Sequence, residues 1–109
     1  EEHERVGIDL NRIGIVLHRK GQLNEAEEHF RQALAIFRKR LPEGHPRLAV
    51  VLVPMGRLLV DRGRPEEARA LLQEAWRVRQ TAFGDSDART IEAATALAAA
   101  DGHAPQASR

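Results

Sequence analysis

Apolar residues recur along this chain at helical spacing, in five blocks separated by short polar or glycine-containing breaks. In the first block Leu10, Ile13, Gly14 and Leu17 follow at steps of three, one and three, the stripe of a helix with one buried face. Lys20-Gly21 predicts where it ends: a cation over the last carbonyls, then a residue free to take a left-handed conformation. A second helix is predicted from about Leu23 to Arg40, with Ala26, Phe30, Ala33, Leu34, Phe37 and Leu41 facing inward. Glu25, Glu27 and Glu28 at its start, and Arg38, Lys39 and Arg40 at its end, suit the helix dipole. Pro46 predicts the start of a third helix reaching about Arg62. Pro65 predicts a fourth, closed by Gly84. A fifth is expected from about Ser86 to Ala100. Residues 101–109 carry Gly, Pro and Ser with no apolar period and read as a flexible tail.

The first two helices are then found again. Shifting the sequence by 42 residues, from Leu10 to Leu52, brings Gly14 onto Gly56, Leu17 onto Leu59, Gly21 onto Gly63, Ala26 onto Ala68 and Ala33 onto Ala75. Apolar character carries over between these identities, as in Ile13 with Met55 and Phe30 with Leu72. A fixed period in this range is the signature of stacked repeats. Gly14 and Gly56 are costly mid-helix, by about 1 kcal/mol relative to alanine. Their shared phase predicts a close helix crossing, with Ala26, Ala33, Ala68 and Ala75 as the matching flat surface. Pro54 should kink the third helix near Val50 by removing one backbone hydrogen bond.

The order Leu10, Ile13-Gly14, Leu17, Gly21, Ala26, Phe30, Ala33, with its second copy, resembles the tetratricopeptide repeat over about Ile8 to Ala100. The usual unit is about 34 residues. The longer period, with Leu10-Asn11 and Gly44-His45-Pro46, is similar to the repeats of kinesin light chains and of many bacterial members. The resemblance implies an all-α, right-handed α-solenoid of antiparallel helix hairpins. Unit one would span about 5–41 and unit two about 46–83, with a capping helix over about 86–100. It also implies a non-catalytic scaffold that binds a peptide or protein segment in a concave groove lined by the first helix of each pair.

Composition narrows the chemistry. Net charge is +1 with both signs scattered, which argues against a nucleic-acid or membrane surface. Without cysteine there is no disulfide and no thiolate metal site. His3, His18, His29, His45 and His103 form no metal-type pair on one helix face, and Ser86 and Ser108 suggest no nucleophile, so neither cofactor, metal nor enzymatic activity is expected. The longest apolar run, Leu48 to Met55, is too short to span a bilayer, and a cytoplasmic protein is expected. Arginine far outnumbers lysine, which reads as the coding bias of a GC-rich bacterial genome.

The candidate peptide-binding stripe comprises Ile8, Asn11, Ile15 and His18, with Arg12 and Arg19 alongside. It continues through Val50, Val53, Arg57 and Val60, then Glu92, Thr95 and Ala99. By the resemblance, Asn11 would hydrogen-bond the backbone of an extended peptide. The arginines would favour acidic partners through forked bonds to carboxylates. Two other functions stay open: self-association as a homodimer through exposed repeat ends, and a regulatory part of a larger enzyme or signalling protein.

Overall fold

The computed structural model describes residues 2–102. The helices are α1 (Glu2–Arg19), α2 (Leu23–Arg40), α3 (Ala49–Asp61), α4 (Pro65–Phe83) and α5 (Ala88–Ala100). A 3-10 turn, Pro46–Leu48, leads into α3. No strand occurs among the described residues. α1 packs on α2 and α3 on α4 as hairpins, α2 packs on α3, and α5 closes the stack against α4 and α3.

Both hairpins turn in the same way because the same residues close them. Gly21 and Gly63 sit at φ 80° and 78°, where a side chain would be strained. Behind each glycine two amides reach back over the helix end. Gln22 N donates to Leu17 O and Gly21 N to His18 O, matched by Arg64 N to Leu59 O and Gly63 N to Val60 O. This is the Schellman pattern, which satisfies carbonyls the helix leaves open. The start of the third helix differs from its prediction. Its first turn is 3-10, capped by the His45 ring, and α-geometry begins only at Ala49. The fifth helix starts at Ala88 rather than Ser86, with the Asp87 carboxylate accepting from the Arg89 amide at 2.8 Å. Of the predicted tail, 101–109, residues 103–109 lie outside the described residues.

The glycine positions do mark close crossings, but the facing residues are not the alanines. A Cβ built on Gly14 would lie 2.8 Å from the Phe30 ring, and one on Gly56 only 2.5 Å from Leu72 Cγ. Phe30 and Leu72 are the same position in the two copies, each a large side chain seated in the hollow left by a glycine. Ala26, Ala33, Ala68 and Ala75 are fully buried in the core beside them.

Charge holds the second helices together. Arg31 reaches Glu67 at 2.9 Å and Arg38 reaches Glu74 at 2.8 Å, both across a separation of 36 residues. The two pairs stand two helical turns apart and set α2 and α4 in one register. Between them and the hairpin turn, buried Glu27 accepts from Arg64 through both oxygens at 2.9 Å and from Arg31 at 2.5 Å. The Arg64 hydrogen bonds hold the Glu27 carboxyl below the usual carboxylate range, against the opposing effect of burial. Glu27, expected to serve as a partner of its own helix dipole, thus ties one repeat to the next, and Glu67 does the same. So does Arg38, expected to suit the dipole at the end of its own helix.

Candidate functional site

The first helices of the repeats line a cleft of about 460 Å³. α1 contributes Asn11, Ile15, His18 and Arg19, α3 contributes Val50, Val53, Pro54 and Arg57, and α5 contributes Glu92. A second lobe of about 320 Å³ continues it past His18 and Arg57 to Val60, Asp61, Thr95, Ala96 and Ala99. His18 Nε2 lies 2.6 Å from Asp61 Oδ2 and marks the waist between the lobes.

The structure gathers most of the sequence-derived stripe. Asn11, Ile15, His18, Arg19, Val53 and Arg57 line the larger lobe, and Thr95 lines the smaller. Ile8 and Arg12 line neither. Ile8 is half-buried against the core, and Arg12 is exposed. Val53, expected to point outward, is only 1% exposed and belongs to the core, because α3 is covered on nearly every side. It forms floor rather than rim.

Asn11 is the most informative of these residues. It is 4% exposed, and its Nδ2 donates to Val50 O at 3.3 Å, from one repeat to the next. In a regular helix Val50 O would accept from the amide of residue 54. That residue is Pro54, which has no N–H and whose ring crowds the carbonyl four residues back. Asn11 therefore supplies the donor that the proline withholds. Because Val50 O can only accept, the amide orientation is determined: Nδ2 faces the carbonyl and Oδ1 faces away. Oδ1 is buried and has no hydrogen-bond partner. The expected kink site is thus repaired by the side chain expected to grip a peptide.

Arg79 was missed from sequence. It occupies the place of Phe37 in the first repeat, where the apolar period calls for a core residue. Buried at the head of the cleft, it donates to Arg89 O at 2.8 Å and to Glu92 Oε1 at 2.9 Å. Glu92 Oε2 in turn lies 3.6 Å from Arg57 Nη1. One carboxylate is shared by two guanidiniums, and Arg19 adds a third to the larger lobe. The lining is therefore net positive over a floor of Ile15, Val53 and Pro54. The register break Phe37 to Arg79 was the signal that could have found it. Among the described residues no cluster of three or more His, Asp or Glu side chains gathers as a metal site would.

A chain of stacked antiparallel helix hairpins with a groove along its first helices is a helical-repeat solenoid. The tetratricopeptide repeat family model matches residues 4–81, which take in α1 from Glu4, all of α2 and α3, and α4 up to its last two residues. The chain belongs to the tetratricopeptide repeat family. No curated protein matches it. Repeats of this family generally mediate protein–protein interaction and scaffolding and are typically non-catalytic. No helix among the described residues is long and apolar enough to cross a membrane.

Proposed function

We propose that this segment is a non-catalytic interaction module of the 42-residue, kinesin-light-chain-like kind, and that it holds an acidic peptide segment in the cleft between α1, α3 and α5. The observation that carries this reading is the imbalance of charge there. Arg19, Arg57 and Arg79 face a single carboxylate, Glu92, above an apolar floor. A ligand carboxylate would complete the set, pairing with Arg57 and Arg19 in the forked geometry guanidinium favours. Ile15 and Val53 would meet the apolar stem of an adjoining residue. Asn11 would contribute by holding the Val50 carbonyl at the edge of the cleft, since its Oδ1 is buried and out of reach of a ligand. His18 and Thr95 would border the ligand where it passes into the second lobe.

The test is selection from a displayed library of random decapeptides, read at low and at raised salt. Selected peptides are expected to be enriched in Asp and Glu. Binding should weaken with salt as exposed charges are screened, and Arg57→Glu with Arg19→Glu should invert the preference toward Lys and Arg. An unbiased or basic selected set would refute the reading.

A further inference from the structure

Two breaks in the 42-residue register fall together at the head of the cleft. Arg79 stands at the place of Phe37, and Glu92 stands at the place of Val50. Two apolar residues at the joint between α2 and α3 thus become a base and an acid at the joint between α4 and α5. Glu92 is the one acid among the residues that line the larger lobe, and its two oxygens are held very differently. Oε1 accepts from Arg79 Nη1 at 2.9 Å, and the Arg79 side chain is only 8% exposed. A cation so far out of water retains its counter-charge, because losing it leaves a buried charge unpaired. Oε2 lies 3.6 Å from Arg57 Nη1, beyond hydrogen-bond length, and both of those side chains are nearly half exposed. Pairs of that kind are weak, since water screens them. Glu92 is therefore held from behind by Arg79 and rests only loosely on Arg57 in front.

We propose that Glu92 is an internal competitor for the cleft's ligand, holding a carboxylate against Arg57 in the place that an acidic side chain of the bound peptide takes. This role rests on the acidic-peptide reading of the cleft, to which it adds the residue that limits affinity. An arriving carboxylate must draw Arg57 away from Glu92. It must then lie beside a second negative charge that stays where it is, because Arg79 retains it. Arg79 itself is occupied, its Nη1 spent on Glu92 Oε1 and Arg89 O. The ligand's acid is thus directed to Arg57 and Arg19 and away from Arg79. A peptide carboxylate that meets Arg57 alone only exchanges one exposed pair for another, so the cleft favours an acid that engages Arg19 as well.

The test measures binding of a fluorescein-labelled decapeptide of alternating Asp and Ala, and of its Asn and Ala counterpart, to the 109-residue chain and its variants by fluorescence anisotropy. Glu92→Gln keeps an oxygen to accept from Arg79 and removes the charge facing Arg57. It is expected to tighten binding of the Asp peptide by about two- to fivefold, the factor an exposed ion pair contributes, and to leave the Asn peptide unchanged. Thr95→Glu adds a second carboxylate at an exposed position one turn along α5, where Thr95 lines the smaller lobe with Arg57. It should weaken binding of the Asp peptide by a similar factor. Asp9→Asn removes the same charge from an exposed site that lines neither lobe, and should change affinity by less than about 1.5-fold. Binding of the Asp peptide by the native chain that Glu92→Gln, with its helix content intact in circular dichroism, fails to tighten would overturn the proposal and leave the acidic-peptide reading standing. If Glu92→Gln lowers helix content, Thr95→Glu decides, and binding it does not weaken overturns the proposal instead. A gain from Asp9→Asn equal to that from Glu92→Gln would also overturn it, because net charge alone would then be responsible. No preference for the Asp peptide in the native chain or in Glu92→Gln would refute both readings together, whereas a preference that emerges only in Glu92→Gln supports the competitor.

Discussion

The coupling between Asn11 and Pro54 makes a quantitative prediction. Asn11→Ala removes the donor to Val50 O and leaves that part-buried carbonyl without a side-chain partner, where a fully buried one would lose about 1–3 kcal/mol in general. The low end applies for two structural reasons. The bond is long at 3.3 Å, and the substitution also removes the unpartnered Oδ1, which itself opposes folding. The expected cost is about 1 kcal/mol, a lowering of Tm by about 4–8 °C for a chain of this size. Pro54→Ala restores an N–H four residues after Val50 and relieves the crowded carbonyl, so it should stabilise α3. In that background Asn11→Ala should be close to neutral, because residue 54 now satisfies Val50 O and only a half-used polar side chain is lost. The interaction energy between the two sites is therefore expected at about 1 kcal/mol. Urea unfolding of the four proteins, followed by far-UV circular dichroism, measures it. If Asn11→Ala costs the same with proline and with alanine at position 54, within about 0.5 kcal/mol, the idea that one residue supplies what the other lacks is wrong.

Three further outcomes are expected. Gly56→Ala should destabilise more than Gly14→Ala, since its new methyl would meet the branched Leu72 Cγ rather than the edge of the Phe30 ring; overpacking of about 1–3 kcal/mol is offset by about 1 kcal/mol of helix propensity, and equal Tm values would refute this. Stability should fall in acid: Glu27, Glu67 and Glu74 are held below their usual value of 4.5, chiefly by hydrogen bonds from Arg64, Arg31 and Arg38 respectively. Their contribution is thus full above that value and lost as pH drops through the lowered folded values, so melts should be flat from neutral pH to about 5 and decline below, and Glu27→Gln should flatten the decline. Arg79→Leu should restore the apolar register of Phe37 yet free Glu92 and Arg89 O, so α5 amides should lose protection in hydrogen exchange while α1 and α2 amides stay unchanged; uniform loss across the chain would refute a role confined to the α4–α5 contact.

Much of the architecture was legible in the chain itself. A helix announces itself through local means: the 3.6-residue apolar period, a proline at the start and a glycine at the end. Both hairpins were readable because the signals occur twice, at Leu10 to Ala33 and again at Leu52 to Ala75. The cleft followed in outline, because the first helix of each repeat presents the same face. Three things were decided only when distant segments came together. Glu27 and Arg38 obey the dipole rule of their own helix, so nothing local distinguishes a terminal charge from one that bridges to Arg64 or Glu74 in the next repeat. Asn11 and Pro54 each had a plausible separate reading, and only their approach through Val50 O joined them. Val6, Ile13 and Val16 match Leu48, Met55 and Leu58 in character, yet one row is exposed and the other buried. The sequence period specifies which faces are made for contact. Whether a neighbour fills each one is a property of the stack, because burial depends on what lies opposite and not on the residue alone.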